Sequence, residues 1–413
     1  MKILQISPYN FPKGGSDRYF LELSQLLESH GLSVYKFCTN INNTDTEYLL
    51  PSGIDTSGTK KLDAFRSLYN LESRKLLDLF LDAHPIDVAH LHIYYGHFST
   101  SVLAPLCDRG IPIVQTIHDY KALCPVSTFN SNGKICHECE GRNFYKSAVK
   151  RCNKKSLPRS VYSAAEAYFS HWNGATKKID RFISVCEFQK NLHIKFGIDP
   201  DKISTIYNFT SMPGIERDLT NEEKNAIVYF GRIEKSKGIF NLLNAFECLP
   251  ESSRNKCELV FAGHGEADAE LTQRINRIDN PHTRVKHLGY LDDLALRPIL
   301  ERSYCSVLVP NVYENCSMSV LESMSMGIPV IVGNIAALPE LITDGKTGYV
   351  VETQSPALLA RAMERLIEDK ELSVALGNNC KLDVDQRFSR KSHLEKITKV
   401  YKTLTENRLF PAR

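Results

Sequence analysis

The stretch that decides the fold is CSVLVPNVYENCSMSVLESMSMG, at residues 305–327. Its first six residues form an apolar strand candidate, and its last nine residues, SVLESMSMG, are compatible with a helix. Glu314 lies in the connecting loop, and Glu322 lies in the helix. A strand, a short loop and a helix leave the backbone N–H groups around residues 317–319 free, and a helix start of this kind favours an anion such as phosphate.

The same strand–loop–helix unit repeats along the chain, which predicts parallel strands joined by crossover helices. Strand candidates in the first half are residues 2–7, 34–38, 88–93, 111–118, 181–186 and 202–208. Those in the second half are residues 226–231, 258–263, 285–290, 305–310, 329–333 and 347–351. The polar segment 209–225 separates the halves. We therefore expect an α/β protein of two doubly wound domains facing each other across a cleft, with ligands outside the carboxyl ends of the strands.

Length and composition fit a two-domain protein that binds small molecules. A chain of 413 residues is too long for a single core. With 51 basic and 48 acidic residues the net charge is +3, which does not favour nucleic acid as a partner. No apolar run approaches the ~20 residues that span a bilayer, and the first residues resemble a strand rather than a signal peptide. These features predict a cytoplasmic location.

Two loops that follow first strands of a domain carry groups suited to phosphate. Gly14 and Gly15 follow the first strand of the chain, and paired glycines let the backbone N–H groups approach a ligand, although such a pair is equally typical of a plain turn. In FGRIEKSKG, residues 230–238, Arg232 offers a planar fork for two phosphate oxygens and Lys237 supplies a point charge. A solvated basic loop is the alternative interpretation of this stretch.

Two more predicted strands end in candidate ligand groups. His118 ends the strand at 111–118, where a histidine, whose pKa is ordinarily near neutral, could bind a sugar hydroxyl or share developing charge. A histidine that caps its own loop is the alternative. Gly263 opens the GHGE loop after another strand, and we expect this turn to line a nucleotide pocket.

Together these motifs resemble the family 4 retaining glycosyltransferases of the GT-B fold. Glu314 and Glu322 match that family's E-x7-E signature, the stretch 230–238 is similar to its diphosphate-binding loop, and Gly14–Gly15 match its N-terminal glycine loop. The resemblance covers nearly the whole chain. It implies an N-terminal acceptor-binding domain at 1–210, a C-terminal nucleotide-sugar-binding domain at 211–389, and a last helix, within 390–413, that packs back on the first domain.

The resemblance also implies roles for the site residues and a metal-independent transfer. Glu314 holds hydroxyls of the transferred sugar, Glu322 holds the ribose, Arg232 and Lys237 hold the diphosphate, and His118 contacts the donor sugar. Two cations and a helix N-terminus offset the leaving diphosphate, so no metal cofactor is required. Where the family reads Glu-Gly-Phe-Gly, this chain differs, and its own residues in the loop are expected to select the sugar. Those donor-contacting residues are Asn315, Cys316, Ser317, Met318 and Ser319.

The expected substrates are a nucleotide-sugar donor, with UDP favoured over GDP as its base-bearing part, and a saccharide acceptor that is lipid-linked. Such a reaction belongs to surface polysaccharide or glycoconjugate synthesis. Two alternatives stay open from the sequence. The first is an isomerase similar to nucleotide-sugar 2-epimerases, on the same fold. The second is a protein that binds a sugar nucleotide without turnover.

An insertion at about 120–160 departs from the regular alternation. Its cysteines have the spacing C-x11-C-x2-C-x12-C, which is compatible with a tetrahedral thiolate site for a structural zinc ion. Free or transiently oxidised thiols are the alternative. The four residues are Cys124, Cys136, Cys139 and Cys152.

The segment 144–159 of this insertion mixes basic and apolar residues. Each basic residue near an anionic lipid surface contributes on the order of 1 kcal/mol to binding. A peripheral position on the cytoplasmic face of a membrane would place the chain beside a lipid-linked acceptor. An ordinary solvated loop is the alternative.

Overall fold

The computed structural model describes residues 1–11, 14–39, 49–50, 68–210, 212, 224–278 and 284–409. The chain divides into two compact units. The first contains Met1–Asn132, Cys136–Asn208 and Arg390–Arg413, and the second contains Gly133–Ile135 and Phe209–Ser389. The division after Asn208 lies in the polar segment that separates the two sets of strand candidates.

The first unit is built on a seven-stranded parallel sheet. The strands of this part of the chain are β1 (Lys2–Ile6), β2 (Ser33–Thr39), β3 (Leu49–Leu50), β4 (Val88–Leu91), β5 (Ile113–Ile117), β6 (Asn130–Ser131), β7 (Lys134–Ile135), β8 (Arg181–Ser184) and β9 (Ile203–Thr205). The order in the sheet is β3-β2-β1-β4-β5-β8-β9. Strands β4 and β5 are buried along their whole length, as expected for strands covered by helices on both faces.

The second unit has a six-stranded parallel sheet in the order β12-β11-β10-β13-β14-β15. Its strands are β10 (Ala226–Phe230), β11 (Glu258–Ala262), β12 (Val285–His287), β13 (Ser303–Leu308), β14 (Val330–Gly333) and β15 (Gly348–Val351). Because β10 lies between β11 and β13, the direction of winding reverses beside it. Crevices that bind ligands form at such reversals.

Helices connect the strands of both sheets. In the first unit they are Gly15–Ser29, Leu71–Ala83, Leu103–Asp108, Tyr145–Val149, Leu157–Trp172, Ala175–Lys178, Glu187–Lys195 and Arg390–Leu409. In the second unit they are Ile239–Glu247, Glu251–Arg254, Asp268–Arg277, Asp293–Glu301, Met318–Ser325, Leu338–Leu341, Pro356–Glu368 and Lys370–Arg387. Every helix in the described residues is too short or too polar to cross a bilayer.

The α/β class with two doubly wound parallel sheets is confirmed, and each strand candidate matches an observed strand. Most of the observed strands end one or more residues before the candidates, because the last residues already turn into the loop that carries polar groups. Strand β3 was not predicted, since two leucines in a polar context carry no periodic signal.

Candidate functional site

Three loops of the second unit meet beside the reversal of its sheet. They follow β10, β11 and β13, and direct backbone hydrogen bonds connect them. Ile233 N donates to His264 O over 3.0 Å, and Asn311 N donates to Ser236 O over 2.8 Å. The loop after β10 is therefore held from both sides at the carboxyl end of the central strands.

Glycines allow these loops to approach one another. A Cβ atom on Gly263 would lie 1.8 Å from the carbonyl oxygen of Gly231, and one on Gly265 would lie 2.2 Å from the oxygen of Ile233. Gly238, with φ of +75°, ends the loop and precedes the helix Ile239–Glu247; its Cβ would lie 1.9 Å from Val309 O. Side chains at these positions would force the loops apart, so the glycines fix the shape of this surface.

The predicted cation Lys237 and carboxylate Glu314 are brought together. Lys237 Nζ lies 2.5 Å from Glu314 Oε2, and the two side chains are only 16% and 18% exposed. Arg232, by contrast, is 66% exposed and pairs with its neighbour Glu234 at 2.8 Å. Tyr229 donates its hydroxyl to the carbonyl oxygen of Arg232, which holds the loop backbone in place. Lys237 is therefore part of a fixed pair, while the Arg232 guanidinium extends into solvent.

The loop after β13 leads into the helix Met318–Ser325, as the sequence predicts. Ser317 is its N-cap residue and contacts the Ser319 hydroxyl, with 3.0 Å between the two Oγ atoms. Glu322 lies inside the helix and is only 4% exposed. A carboxylate at this depth is stable only when hydrogen bonds replace the water that it has lost.

The residues between the two glutamates differ in exposure. Cys316 is buried, at 5% exposure. The partly exposed residues are Asn315, Ser317, Met318 and Ser319. These four side chains can reach a ligand in front of the helix, whereas Cys316 packs into the unit.

Sequence reasoning named Gly263 in the loop after β11 but missed the two histidines and the aspartate close to it. His264 Nδ1 lies 3.0 Å from Asp268 Oδ2, and His287 Nε2 lies 3.7 Å from Asp268 Oδ1. Asp268 also accepts a hydrogen bond from Gly265 N, so it holds the loop in shape. The sequence could have indicated only His264 and Asp268, which lie four residues apart. His287 comes from another strand, so no local spacing connects it to them. Among the described residues, these three form the one group of candidate metal ligands with all ligand atoms within 4.8 Å.

In the first unit, His118 follows β5 and contacts a second histidine. His118 Nε2 lies 3.1 Å from His92 Nδ1, and the two rings are stacked with an interplanar angle of 20°. Burial lowers the pKa of His118 to about 3, so the imidazole is neutral in ordinary buffers. The expectation of a near-neutral pKa was therefore wrong, because the predicted loop position gave no measure of burial.

A buried network of aromatic and histidine side chains surrounds this pair. His90 Nδ1 lies 2.6 Å from Tyr401 OH, and its Nε2 lies 2.7 Å from Thr116 Oγ1. Tyr19 OH lies 3.0 Å from Nε2 of His393. Sequence reasoning missed this network, although the pattern HLH at 90–92 places two histidines on one face of a strand. The helix Arg390–Leu409 supplies the partners from the far end of the chain.

Gly14 and Gly15 begin the first helix of this unit. Gly14 has extended backbone, with φ of −160°, and acts as the N-cap of the helix Gly15–Ser29. Its Cβ would meet Asp17 Oδ2 at 3.8 Å, an ordinary contact. Among the described residues of this unit, neither strain nor packing requires a glycine at position 14.

The insertion is ordered and contains all four predicted cysteine ligands. Cys124 and Cys139 are buried, and Cys136 and Cys152 are partly exposed. They do not form a group of three ligand atoms within 4.8 Å in this part of the structure. All four are free thiols.

The basic segment 144–159 exposes both apolar and basic side chains. Its exposed large apolar side chains are Tyr145, Val149 and Leu157. The helix Leu157–Trp172 adds two more beyond the segment, Val161 and Trp172. The segment's exposed basic side chains are Arg151, Lys154, Lys155 and Arg159. Phe144, in contrast, is buried under Tyr168. We call these nine exposed residues the basic–apolar surface.

Comparisons with known proteins agree with this architecture. The sequence model described as Glycosyltransferase Family 4 matches residues 13–211, and the model described as Glycosyl transferases group 1 matches residues 215–383. An uncharacterized glycosyltransferase of Methanocaldococcus jannaschii is 28% identical over 320 residues, which cover 78% of this chain and 76% of that protein.

One further relative and one solved structure extend the comparison. The UDP-Gal:alpha-D-GlcNAc-diphosphoundecaprenol alpha-1,3-galactosyltransferase of Escherichia coli is 24% identical over 355 residues, covering 82% of this chain and 81% of that protein. Sucrose-phosphate synthase from Thermosynechococcus elongatus has a similar structure, with a TM-score of 0.72 and 17% identity over 98% of both chains. At that identity the structural likeness shows the fold alone. With two family models that together span most of its length, the chain is a glycosyltransferase of family 4 with the GT-B fold.

Proposed function

We propose that this glycosyltransferase moves a hexosyl group from a UDP-linked sugar to a hydroxyl of a lipid-linked saccharide, with retention at the anomeric carbon. The observation that carries the donor side is the sheltered pair of Lys237 and Glu314, together with the buried Glu322 in the helix that follows the Glu314 loop. Together they combine a cation for phosphate with two carboxylates for hydroxyl groups. A purely structural role does not require these three side chains at one sheet reversal.

In this proposal the second unit holds the diphosphate by charge and by backbone. Lys237 and Arg232 bind its oxygens, with Arg232 free to turn from Glu234 towards the ligand because it is largely exposed. The N–H groups at the start of the helix Met318–Ser325 add further donors. Glu322 accepts from the ribose hydroxyls and Glu314 from those of the transferred sugar.

The reaction follows from the stabilised leaving group. The bond between the anomeric carbon and the phosphate oxygen breaks, and its electron pair stays on the diphosphate, where the two cations offset the added charge. The acceptor oxygen bonds to the same face of the sugar, and its proton passes to the departing phosphate oxygen. This scheme needs neither a protein nucleophile nor a metal ion, and we therefore propose metal-independent transfer.

His118 acts in this proposal as a neutral hydrogen-bonding group on the donor sugar. Its lowered pKa excludes a standing positive charge at neutral pH. The contact with His92 orients the ring, since one proton is shared between His92 Nδ1 and His118 Nε2. His118 is therefore proposed to position the sugar rather than to transfer a proton.

The relative from Escherichia coli supports the choice of substrates. Its name specifies a UDP-linked donor and a diphosphoundecaprenol-linked acceptor, and it aligns with 82% of this chain. We therefore propose a place in surface polysaccharide or glycoconjugate synthesis.

A panel of nucleotide sugars tests the donor. Each is added to the protein, and the melting temperature is measured, because a bound donor stabilises the folded state by mass action. We expect a UDP-sugar to give the largest increase. The selected donor is then incubated with an undecaprenyl-diphosphate-linked acceptor, and NMR of the product reports the anomer. An inverted product, or stabilisation only by GDP-sugars, would contradict the proposal.

The same assay separates the alternatives. Incubation with the donor alone should leave the sugar unchanged; epimerisation without acceptor would indicate an isomerase. Stabilisation by the donor with no product from any acceptor would indicate a binding protein.

We further propose that the basic–apolar surface docks on anionic lipid. Exposed valine, leucine and tryptophan side chains and four exposed basic side chains in and next to one segment match the two sources of affinity for such a surface. In vesicle flotation we expect the protein to float with phosphatidylglycerol and not with phosphatidylcholine alone. Val149→Glu should weaken this binding, and Leu79→Glu, at an exposed leucine elsewhere in the unit, should not. Equal flotation of both variants would refute the docking surface.

A further inference from the structure

Two imidazoles and one carboxylate of the second unit converge at the end of β12. His264 lies in the loop after β11, Asp268 begins the helix Asp268–Arg277, and His287 is the last residue of β12. One nitrogen of each histidine and one oxygen of Asp268 all lie within 4.8 Å of one another. Three separate elements therefore bring together side chains of the two kinds, imidazole and carboxylate, that bind transition metals.

The separations between these atoms suit a shared cation. An ion with ligand bonds of about 2.1 Å in a tetrahedron holds its ligand atoms about 3.4 Å apart. Asp268 lies between the two histidines, with Oδ2 3.0 Å from His264 Nδ1 and Oδ1 3.7 Å from His287 Nε2. A hydrogen bond accounts for the first contact, but 3.7 Å is too long for one. The second imidazole therefore lies close to the carboxylate without a hydrogen bond to it.

The surroundings of His287 suit a ring that binds a cation through Nε2. The side chain is only 10% exposed, and its Nδ1 atom lies 3.4 Å from Thr272 Oγ1. Its Nε2 atom faces the Asp268 carboxylate and lies 3.2 Å from Gly263 O. Without an ion, Nε2 can carry the ring proton and donate it to that carbonyl oxygen. When Nδ1 carries the proton instead, Thr272 accepts it, and the Nε2 lone pair faces two oxygens that are both acceptors. A cation is the partner that fits this second tautomer.

The backbone holds the carboxylate and the other histidine in place. Gly265 N donates to Asp268 Oδ1 over 3.0 Å, which orients the carboxylate. Gly263 N donates to Gly289 O over 2.6 Å, which ties the loop after β11 to the residues after β12. A Cβ atom on Gly289, where φ is +71°, would lie 3.1 Å from His264 Cε1, so this glycine makes room for the ring. Ligands that are already held lose little conformational freedom when an ion binds.

We propose that His264, Asp268 and His287 bind one zinc ion, with water completing its coordination. Zinc takes imidazole nitrogen together with carboxylate oxygen, whereas Mg²⁺ and Ca²⁺ take oxygen ligands. The His264 side chain is 66% exposed, so its ring can turn to close the remaining distance, and solvent reaches the open position. The ion connects the loop after β11, the helix that Asp268 begins and strand β12. It takes no part in the proposed sugar transfer, which needs no metal ion.

Isothermal titration calorimetry of the full-length, metal-free protein with zinc chloride tests the proposal, after removal of any affinity tag. We expect the wild type to bind about one more zinc ion per chain than His264→Ala, and zinc to raise its melting temperature. The exposure of His264 means that its replacement should not impair folding. His30→Ala, at an exposed histidine of the first unit, should bind zinc like the wild type. Zinc bound by the cysteines of the insertion would be equal in all three proteins and would leave the difference unchanged.

A second measurement uses the wild-type protein alone. NMR of protein with ¹⁵N-labelled histidine rings reports which ring nitrogens bind zinc. We expect zinc to shift the signals of His264 Nδ1 and His287 Nε2 and to leave the proton of His287 on Nδ1. Zinc binding that is equal in the wild type and His264→Ala would overturn the proposal, because it would mean an adventitious ion only. Signals of these two rings that do not change with zinc would overturn it as well. Neither measurement contains a nucleotide sugar, so both outcomes are independent of the proposed function.

Discussion

Replacement of Lys237 by alanine tests whether this side chain binds the diphosphate. Lys237 and Glu314 form an ion pair of 2.5 Å with side chains 16% and 18% exposed. Two unit charges about 4 Å apart interact by roughly 4 kcal/mol at an effective dielectric constant of about 20. Partial exposure reduces the net contribution to about 1–2 kcal/mol. Loss of the lysine therefore removes a cation and leaves a carboxylate without compensation.

The effect on binding is larger than the effect on folding. A charged hydrogen bond to a phosphate oxygen contributes about 1.5–3 kcal/mol, so UDP should bind the Lys237→Ala variant roughly 10- to 150-fold more weakly. The carboxylate of Glu314 then faces the diphosphate and repels it. The double variant Lys237→Ala/Glu314→Gln should therefore recover part of the affinity.

Isothermal titration calorimetry with UDP and with GDP measures these affinities, and thermal unfolding reports the stability of each variant. Lys235→Ala is the matched control, because Lys235 lies in the same loop but pairs with Glu270, which is not one of the proposed donor-binding residues. It should bind UDP like the wild type. Unchanged binding by Lys237→Ala, or an equal loss in Lys235→Ala, would refute the assignment. No recovery in the double variant would show that Glu314 does not face the diphosphate.

Three further results are expected. Glu322→Ala should abolish stabilisation by the donor in thermal shift assays, and unchanged stabilisation would remove Glu322 from the site. Tyr401→Phe should destabilise the first unit by about 1–3 kcal/mol, because His90 loses a buried partner; Tyr290→Phe, at an exposed tyrosine of the second unit, should not change the unfolding midpoint in urea. Acid should destabilise the first unit as the pH falls from about 6.5 to about 4. Over this range the histidines become protonated in the unfolded chain, whereas the buried histidines of the folded chain stay neutral. Above pH 6.5 these histidines do not lower the free energy of unfolding. Below pH 6.5 each histidine lowers it by up to about 1.4 kcal/mol per pH unit. A free energy of unfolding that is constant down to pH 4 would contradict this prediction. These histidines include His90, His118, His193 and His393, whose pKa values burial lowers to about 3, 3, 4 and 4.

The order of strands and helices was predictable because each strand is a short apolar run and each helix has its own apolar face. Parallel strands joined by helices leave only a few topologies, and the loops after the strands are then the natural place for ligand groups. Glu314, Glu322, Arg232 and Lys237 could be chosen for that reason. The pairing of Lys237 with Glu314 could not, because it joins loops after two different strands.

The sequence by itself determined the fold class, the repeated strand–loop–helix unit and the family, since these depend on local periodicity and on motifs of fixed spacing. Only the tertiary structure decided how buried each polar group is. Burial lowers the pKa of His118, and Tyr401 reaches His90 from the last helix. Burial is a sum over contacts from distant parts of the chain, and no local pattern records that sum. The protonation of a side chain therefore follows from the folded structure, whereas its position after a strand follows from the sequence.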